Sequence, residues 1–174
     1  MDDSSIYQFS VQKLNGEEIS LSEFKNKVLL IVNTASQCGF TPQLKELEAL
    51  RKDFEGKDFE ILAFPTNDFG AQEPLNGAAI GTFCAINFGT HFPVFSKMRI
   101  RGPYAHPLYQ FLADRKQNGK VNTAPRWNFH KYLIDKEGHV VDFFYPFTKP
   151  TSSKIKKRIE RLLTEKQATD TAHA

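Results

Sequence analysis

The stretch Val28-Leu29-Leu30-Ile31-Val32-Asn33-Thr34-Ala35-Ser36-Gln37-Cys38-Gly39-Phe40-Thr41 decides the reading of this chain. Its first half is an unbroken apolar run of the kind found in strands covered on both faces. Its second half is polar, carries a lone cysteine and leads to Pro42, after which Leu44, Leu47, Leu50 and Phe54 recur at helical spacing, with Gly56 as the stop. A strand that delivers a cysteine to a helix entrance is a setting for reactive sulfur. The unpaired N–H groups and partial positive charge at a helix start favour a thiolate over a thiol.

Working outward, a second central strand runs from Phe59 to Phe64 and into Pro65, so strand, helix and strand follow in order. Ahead of them, residues 6–11 and 17–21 alternate and Asn15-Gly16 supplies a tight turn, which predicts an N-terminal β-hairpin. Thr66 to Gly77 is polar and too long for a simple turn, the mark of a functional loop. Ala78 to Phe88 reads as a weak helix, with Gly81 inside it and β-branched Ile80, Thr82 and Ile86. Phe92 to Phe95 is extended, and His106 to Lys116 is a helix opened by Pro107. Asn128 to Ile134 and Val140 to Tyr145 pair across a turn at Glu137-Gly138, and Ser152 to Lys166 closes the chain as an amphipathic helix. The expectation is an α/β fold with a central mixed sheet flanked by helices, in a single domain over 1–174 whose last residues, 167–174, fray.

Composition narrows the function classes. No segment has the apolar length of a membrane helix, and the N-terminus lacks a basic cap followed by an apolar run, so a cytoplasmic protein without an integral membrane part is expected. The five histidines, at 91, 106, 130, 139 and 173, show no ligand spacing, and no metal or other cofactor is expected. The net charge of +3 conceals a basic block: residues 97–131 hold eight Lys or Arg and one Asp. Without interleaved stacking aromatics this block does not read as a nucleic-acid surface; it reads as a solvated face or a field for acidic substrates or partners. Two cysteines are too few for a disulfide scaffold and form no CxxC pair. Taken alone, they are two unrelated buried thiols, a structural disulfide, or a redox pair that closes during turnover.

Three segments together resemble the glutathione peroxidase family. Asn33-Thr34-Ala35-Ser36-Gln37-Cys38-Gly39-Phe40-Thr41 is similar to its active-site segment, Leu62-Ala63-Phe64-Pro65-Thr66-Asn67-Asp68-Phe69-Gly70-Ala71-Gln72-Glu73-Pro74 to its second signature, and Trp127-Asn128-Phe129-His130-Lys131-Tyr132-Leu133-Ile134 to its third. The resemblance runs from about Tyr7 to Leu163 and implies a thioredoxin-like fold. It implies that Cys38 is the peroxide-reducing cysteine, standing where other members carry selenocysteine, and that Gln72, Trp127 and Asn128 complete the catalytic set. The chemistry is sound in its own terms. Attack on an O–O bond needs a thiolate, a free thiol with pKa of about 8.5 is mostly protonated at neutral pH, and neutral amide and indole donors stabilise the anion by about 1.5–3 kcal/mol each.

Cys84 lies in Ile80-Gly81-Thr82-Phe83-Cys84-Ala85-Ile86-Asn87-Phe88-Gly89, which resembles the segment of the resolving cysteine in the thioredoxin-dependent, phospholipid-hydroperoxide-like branch. The implied reaction is reduction of hydrogen peroxide and organic or lipid hydroperoxides through a Cys38 sulfenic acid, resolved by Cys84 to a disulfide and recycled by thioredoxin. Alternatives are recycling by glutathione with Cys84 idle, a redox relay that passes a disulfide to a partner protein, and a binding module without catalysis. Thr66 and Asp68 depart from the family pattern, which often has Cys and Gln there. A carboxylate facing Cys38 would oppose the thiolate, so Asp68 is expected to point to solvent or to a cation. The short connection between Lys116 and Trp127 lacks the insertion that resembles an oligomerisation loop, and a monomer is expected.

Overall fold

A computed structural model of the chain describes residues 3–165; the tail at 167–174 lies outside the described residues. Its centre is a four-stranded sheet in which β3 (Val28–Thr34) runs parallel to β4 (Phe59–Pro65) and antiparallel to β5 (Lys131–Ile134), which pairs antiparallel with β6 (Val140–Phe144). Every residue of β3 is buried, as its apolar run requires. The sheet separates two apolar layers. Val28, Leu30 and Val32 face one side, with Leu44, Leu47 and Leu50 of α1 (Gln43–Asp53), Ile80 and Cys84 of α2 (Ala78–Phe88), and Ile155, Ile159 and Leu162 of α5 (Ser153–Thr164). Leu29 and Ile31 face the other, with Leu108, Phe111 and Leu112 of α3 (Pro107–Ala113) and Ile6, Val11 and Phe95.

The expected α/β order holds, and the departures have local causes. The N-terminal hairpin is short: β1 (Ser10–Gln12) pairs with β2 (Glu18–Ser20) around Gly16 at φ 88°, while Ile6–Gln8 winds into a 3-10 turn capped by the Ser5 hydroxyl. The helix expected from His106 to Lys116 breaks at Asp114, whose backbone is extended and whose carboxylate caps the N–H of Lys116, starting α4 (Arg115–Asn118). Phe92 to Phe95 is extended as expected: Val94 bridges Ala63 on β4, and Phe95 bridges Lys13, tying the hairpin to the sheet. The third strand begins at Lys131 and not at Asn128, because Phe129 adopts φ 69° and turns the preceding residues out of the ladder. The last helix is capped by Ser152, and Lys166 lies outside the described residues. No helix among the described residues is long and apolar enough to cross a membrane.

Candidate active site

The parallel strands β3 and β4 end side by side, with Thr34 in register with Pro65, and the loops leaving them form the site. Between β3 and α1 the chain folds around Thr41. The Thr41 hydroxyl donates to the Ala35 carbonyl at 2.7 Å and accepts the N–H of Cys38 at 2.9 Å, and the Thr41 N–H donates to the Cys38 carbonyl at 3.0 Å. Cys38 is thereby held in a buried turn. Its Sγ accepts the N–H of Phe40 at 3.4 Å. The sequence placed this sulfur at a helix entrance, but α1 starts only at Gln43. The donor is a turn amide, because Gly39 to Pro42 form turns before the helix begins.

Gln72 is carried by the loop after β4. Gly70 and Ala71 both take left-handed conformations, φ 65° and 51°, which turn the loop back toward the sheet. A Cβ on Gly70 would stand 3.2 Å from Cη2 of Trp127 and 3.5 Å from Cγ of Gln72, so glycine serves both the backbone angle and the close approach. Asp68 anchors the loop from outside. Its carboxylate pairs with Nε of Arg99 at 2.8 Å and accepts the N–H groups of Ile100 at 2.7 Å and Arg101 at 3.2 Å, so it meets a cation as expected. Glu73 anchors it from inside: buried, it accepts the Ser36 hydroxyl at 2.8 Å, and burial raises its pKa above the ordinary value. One residue on, the N–H of Gln37 donates to the carbonyl of Gln72 at 2.9 Å. Two adjacent rungs therefore join the Gln72 loop to the residues just before Cys38.

Trp127 and Asn128 come from the turn before β5, and the buried Asn33 of β3 fixes that turn. Its Nδ2 donates to the Trp127 carbonyl at 3.0 Å, and its own carbonyl accepts the N–H of Phe129 at 2.6 Å. Asn128 is fully buried, and its Nδ2 donates to Oε1 of Gln72 at 3.1 Å. The ring of Trp127 packs against Phe69, centroids 5.9 Å apart. Gln72, Trp127 and Asn128 thus form one cluster bonded to the Cys38 loop through backbone. Among the described residues none of the three donates a hydrogen bond to Sγ, and Oδ1 of Asn128 is buried without a partner.

Cys84 sits in α2, buried and as a free thiol, in the same apolar layer as Cys38, which is also free. Burial, with a smaller push from the negative charge of Glu73, raises its pKa to about 11, so in this conformation it is a thiol at neutral pH. The helix around it is weakly held. It is apolar along almost its whole length, yet among its residues only Ile80 and Cys84 are buried, and Ile86 is 77% exposed.

Several supporting residues had little signal in the sequence. Lys131 is fully buried, and its Nζ donates to the carbonyls of Phe129 at 2.9 Å, Pro146 at 3.2 Å and Tyr145 at 3.5 Å. Burial lowers its pKa to about 7, with the charge of Glu46 acting in the opposite sense. It fastens the turn that carries Asn128 to the chain leaving β6. Its neighbour His130 is buried, and burial together with the Lys131 charge lowers its pKa to about 4. Asn33, a polar residue inside a fully buried strand, was the one visible hint.

The family model for glutathione peroxidase matches residues 6–113. The chain is 47% identical over 159 residues to "Glutathione peroxidase homolog BsaA" of Halalkalibacterium halodurans, covering 91% of this chain and 99% of that one. It is 43% identical over 165 residues to "Hydroperoxy fatty acid reductase gpx1" of Synechocystis, covering 92% and 96%. Among solved structures, GPX1 of T. cruzi superposes with a TM-score of 0.72 at 33% identity, covering 91% of this chain and 96% of that one. At the level of fold alone the likeness extends to a thioredoxin family protein of Chlorobium tepidum, with a TM-score of 0.60 at 16% identity over 89% and 92% of the two chains. With three signature segments meeting at the ends of β3 and β4, and relatives matched over nearly their whole length, this chain belongs to the glutathione peroxidase family and has a thioredoxin-like fold.

Proposed function

We propose that the protein is a thiol peroxidase that reduces hydrogen peroxide and organic or lipid hydroperoxides, with Cys38 as nucleophile, Gln72, Trp127 and Asn128 as its catalytic partners, and Cys84 as resolving cysteine. The Cys38 thiolate attacks the terminal peroxide oxygen. An S–O bond forms, the O–O bond breaks, sulfur loses two electrons, and the departing oxygen takes a proton and leaves as water or alcohol. The observation that carries this reading is the joining of three distant segments at one place by the bonds from Gln37 to Gln72 and from Asn128 to Gln72. The unpartnered Oδ1 of Asn128 supports it too, as an acceptor for the O–H of a hydroperoxide.

Sulfenic acid at Cys38 is then attacked by the Cys84 sulfur. An S–S bond forms, the S–O bond breaks, and hydroxide leaves as water. Cys84 must first leave its buried, protonated state, so resolution requires α2 to unwind in part. A dithiol reductant, thioredoxin, then takes the disulfide, and the protein works as a monomer. Steady-state turnover with thioredoxin and with glutathione, on the parent and on Cys84→Ser, tests this division of roles. Loss of thioredoxin-driven turnover in Cys84→Ser is expected, and undiminished turnover would overturn the resolving role.

A further inference from the structure

Glu73 is a carboxylate only 2% exposed, and the two hydrogen bonds it accepts, from the Ser36 hydroxyl at 2.8 Å and the Leu75 N–H at 3.4 Å, both fall on Oε1. Lys97 donates to its backbone carbonyl at 2.8 Å and makes no ion pair with the carboxylate. A glutamine here would accept the same two bonds on its amide oxygen without the cost of burying a charge. What a carboxylate adds is the capacity to take up a proton and return it. Burial raises the pKa of Glu73 above the ordinary carboxylate value, which makes it a better proton acceptor than an exposed glutamate.

Its placement decides which proton. The Ser36 bond and, one residue earlier, the bond from Gln37 to Gln72 at 2.9 Å hold Glu73 against the loop that carries Cys38. On its other side α2 starts at Ala78, and Leu75 packs into the apolar layer that contains Cys84. The charge of Glu73 is felt at Cys84, where it opposes the thiolate. Its backbone is fixed by Oδ1 of Asn67, which accepts the Glu73 N–H at 2.9 Å, and by Lys97. None of these bonds involves α2, so loosening of that helix leaves Glu73 in place. Cys84 is a poor nucleophile as a buried thiol, and a base within reach is what its attack requires.

We infer that Glu73 carries the proton of the resolving step: its carboxylate takes the S–H proton of Cys84 as that sulfur attacks the Cys38 sulfenic acid, and returns it to the departing hydroxide. The S–S bond forms with the electron pair of the Cys84 sulfur, and the S–O bond breaks with its pair going to oxygen. The Cys84 sulfur is oxidised and the Cys38 sulfur reduced, the thiol proton ends in the water that leaves, and Glu73 is a carboxylate again. No further oxidant or reductant enters. The inference rests on the resolving role proposed for Cys84 and adds the group that makes its sulfur reactive.

Oxidation of the reduced protein by one equivalent of hydrogen peroxide, followed by quenched-flow mass analysis, separates formation of the Cys38 sulfenic acid from closure of the disulfide. In Glu73→Gln, which keeps the acceptor for Ser36 and Leu75, closure is expected to slow about 100-fold, the size of a lost general base, and sulfenic acid formation by no more than a few-fold. With Cys38→Ser, where no disulfide can form, the same substitution is expected to quicken alkylation of Cys84 by iodoacetamide, since a charge that opposes the thiolate is gone. A Cys84 that alkylates faster yet closes the disulfide more slowly, at an undiminished thermal midpoint, has lost its base and not its fold. Faster or unchanged closure in Glu73→Gln would overturn the inference while leaving the resolving role of Cys84 intact. Equal slowing of both steps would make Glu73 a tie between loops and would overturn it too. A parent that forms no Cys38–Cys84 disulfide would overturn both the inference and the resolving role.

Discussion

At the scale of single residues the site is a problem of donors around one sulfur. The donor that Cys38 already has is a turn amide at 3.4 Å, from Phe40. The amide groups of Gln72 and Asn128 are tied to each other instead, and in the proposed mechanism they act on the bound peroxide. Asn128→Ala removes the proposed acceptor for the peroxide and, with it, the bond to Gln72. We expect the second-order rate of Cys38 oxidation by hydrogen peroxide, followed by stopped-flow Trp127 fluorescence, to fall about 10- to 100-fold, the size of one or two polar contacts in a buried site. An unchanged rate would remove Asn128 from the mechanism. Of the carboxylates on the Gln72 loop, Asp68 is paired with Arg99, and Glu73 accepts the Ser36 hydroxyl.

At the scale of elements, the two halves of the proposed cycle sit on supports of unequal strength. Cys38 follows a strand buried along its whole length, whereas Cys84 sits on an apolar helix with two buried residues. Gly81 is one reason for the weakness of α2, since glycine in a helix interior costs about 1 kcal/mol relative to alanine. Gly81→Ala should stiffen α2 and slow Cys38–Cys84 disulfide formation by a few-fold, measured by quenched-flow mass analysis, without slowing the first oxidation step. The new Cβ would come within 2.8 Å of Cδ1 of Leu14, the movable end of a side chain, so accommodation is cheap. Most elements were legible in the sequence because they are set by local pattern: the β3 run, the leucine spacing of α1, the Asn15-Gly16 turn. What was not legible depends on contacts between distant segments. The late start of β5 follows from Phe129 being drawn to Asn33, and the break at Asp114 follows from a side chain capping its own helix. The candidate site residues were legible from the three signatures; their supports, Lys131, His130 and Glu73, were not, because burial of a charged side chain leaves no periodic trace.

At the scale of the whole molecule, buried titratable groups couple stability to pH. His130 has a pKa lowered to about 4 from an ordinary value near 6.5, because burial and the Lys131 charge oppose protonation. Unfolded, it takes up a proton more readily, so its neutral burial supports the fold fully above about pH 6.5, and that support is lost as pH falls toward 4. The size is on the order of 3 kcal/mol. Thermal midpoints across this range should fall less steeply for His130→Phe than for the parent, and parallel profiles would mean that His130 is not the group responsible. The molecule as a whole presents two sulfurs in one apolar layer, one set in a rigid turn and one on a loosely held helix, and the central claim is that they form a single redox couple. The most direct test is to add one equivalent of hydrogen peroxide to the reduced protein and determine intact mass and free thiols. Both thiols are expected to disappear together into an intramolecular Cys38–Cys84 disulfide. Oxidation of Cys38 alone, with Cys84 still titrating as a free thiol, would contradict it.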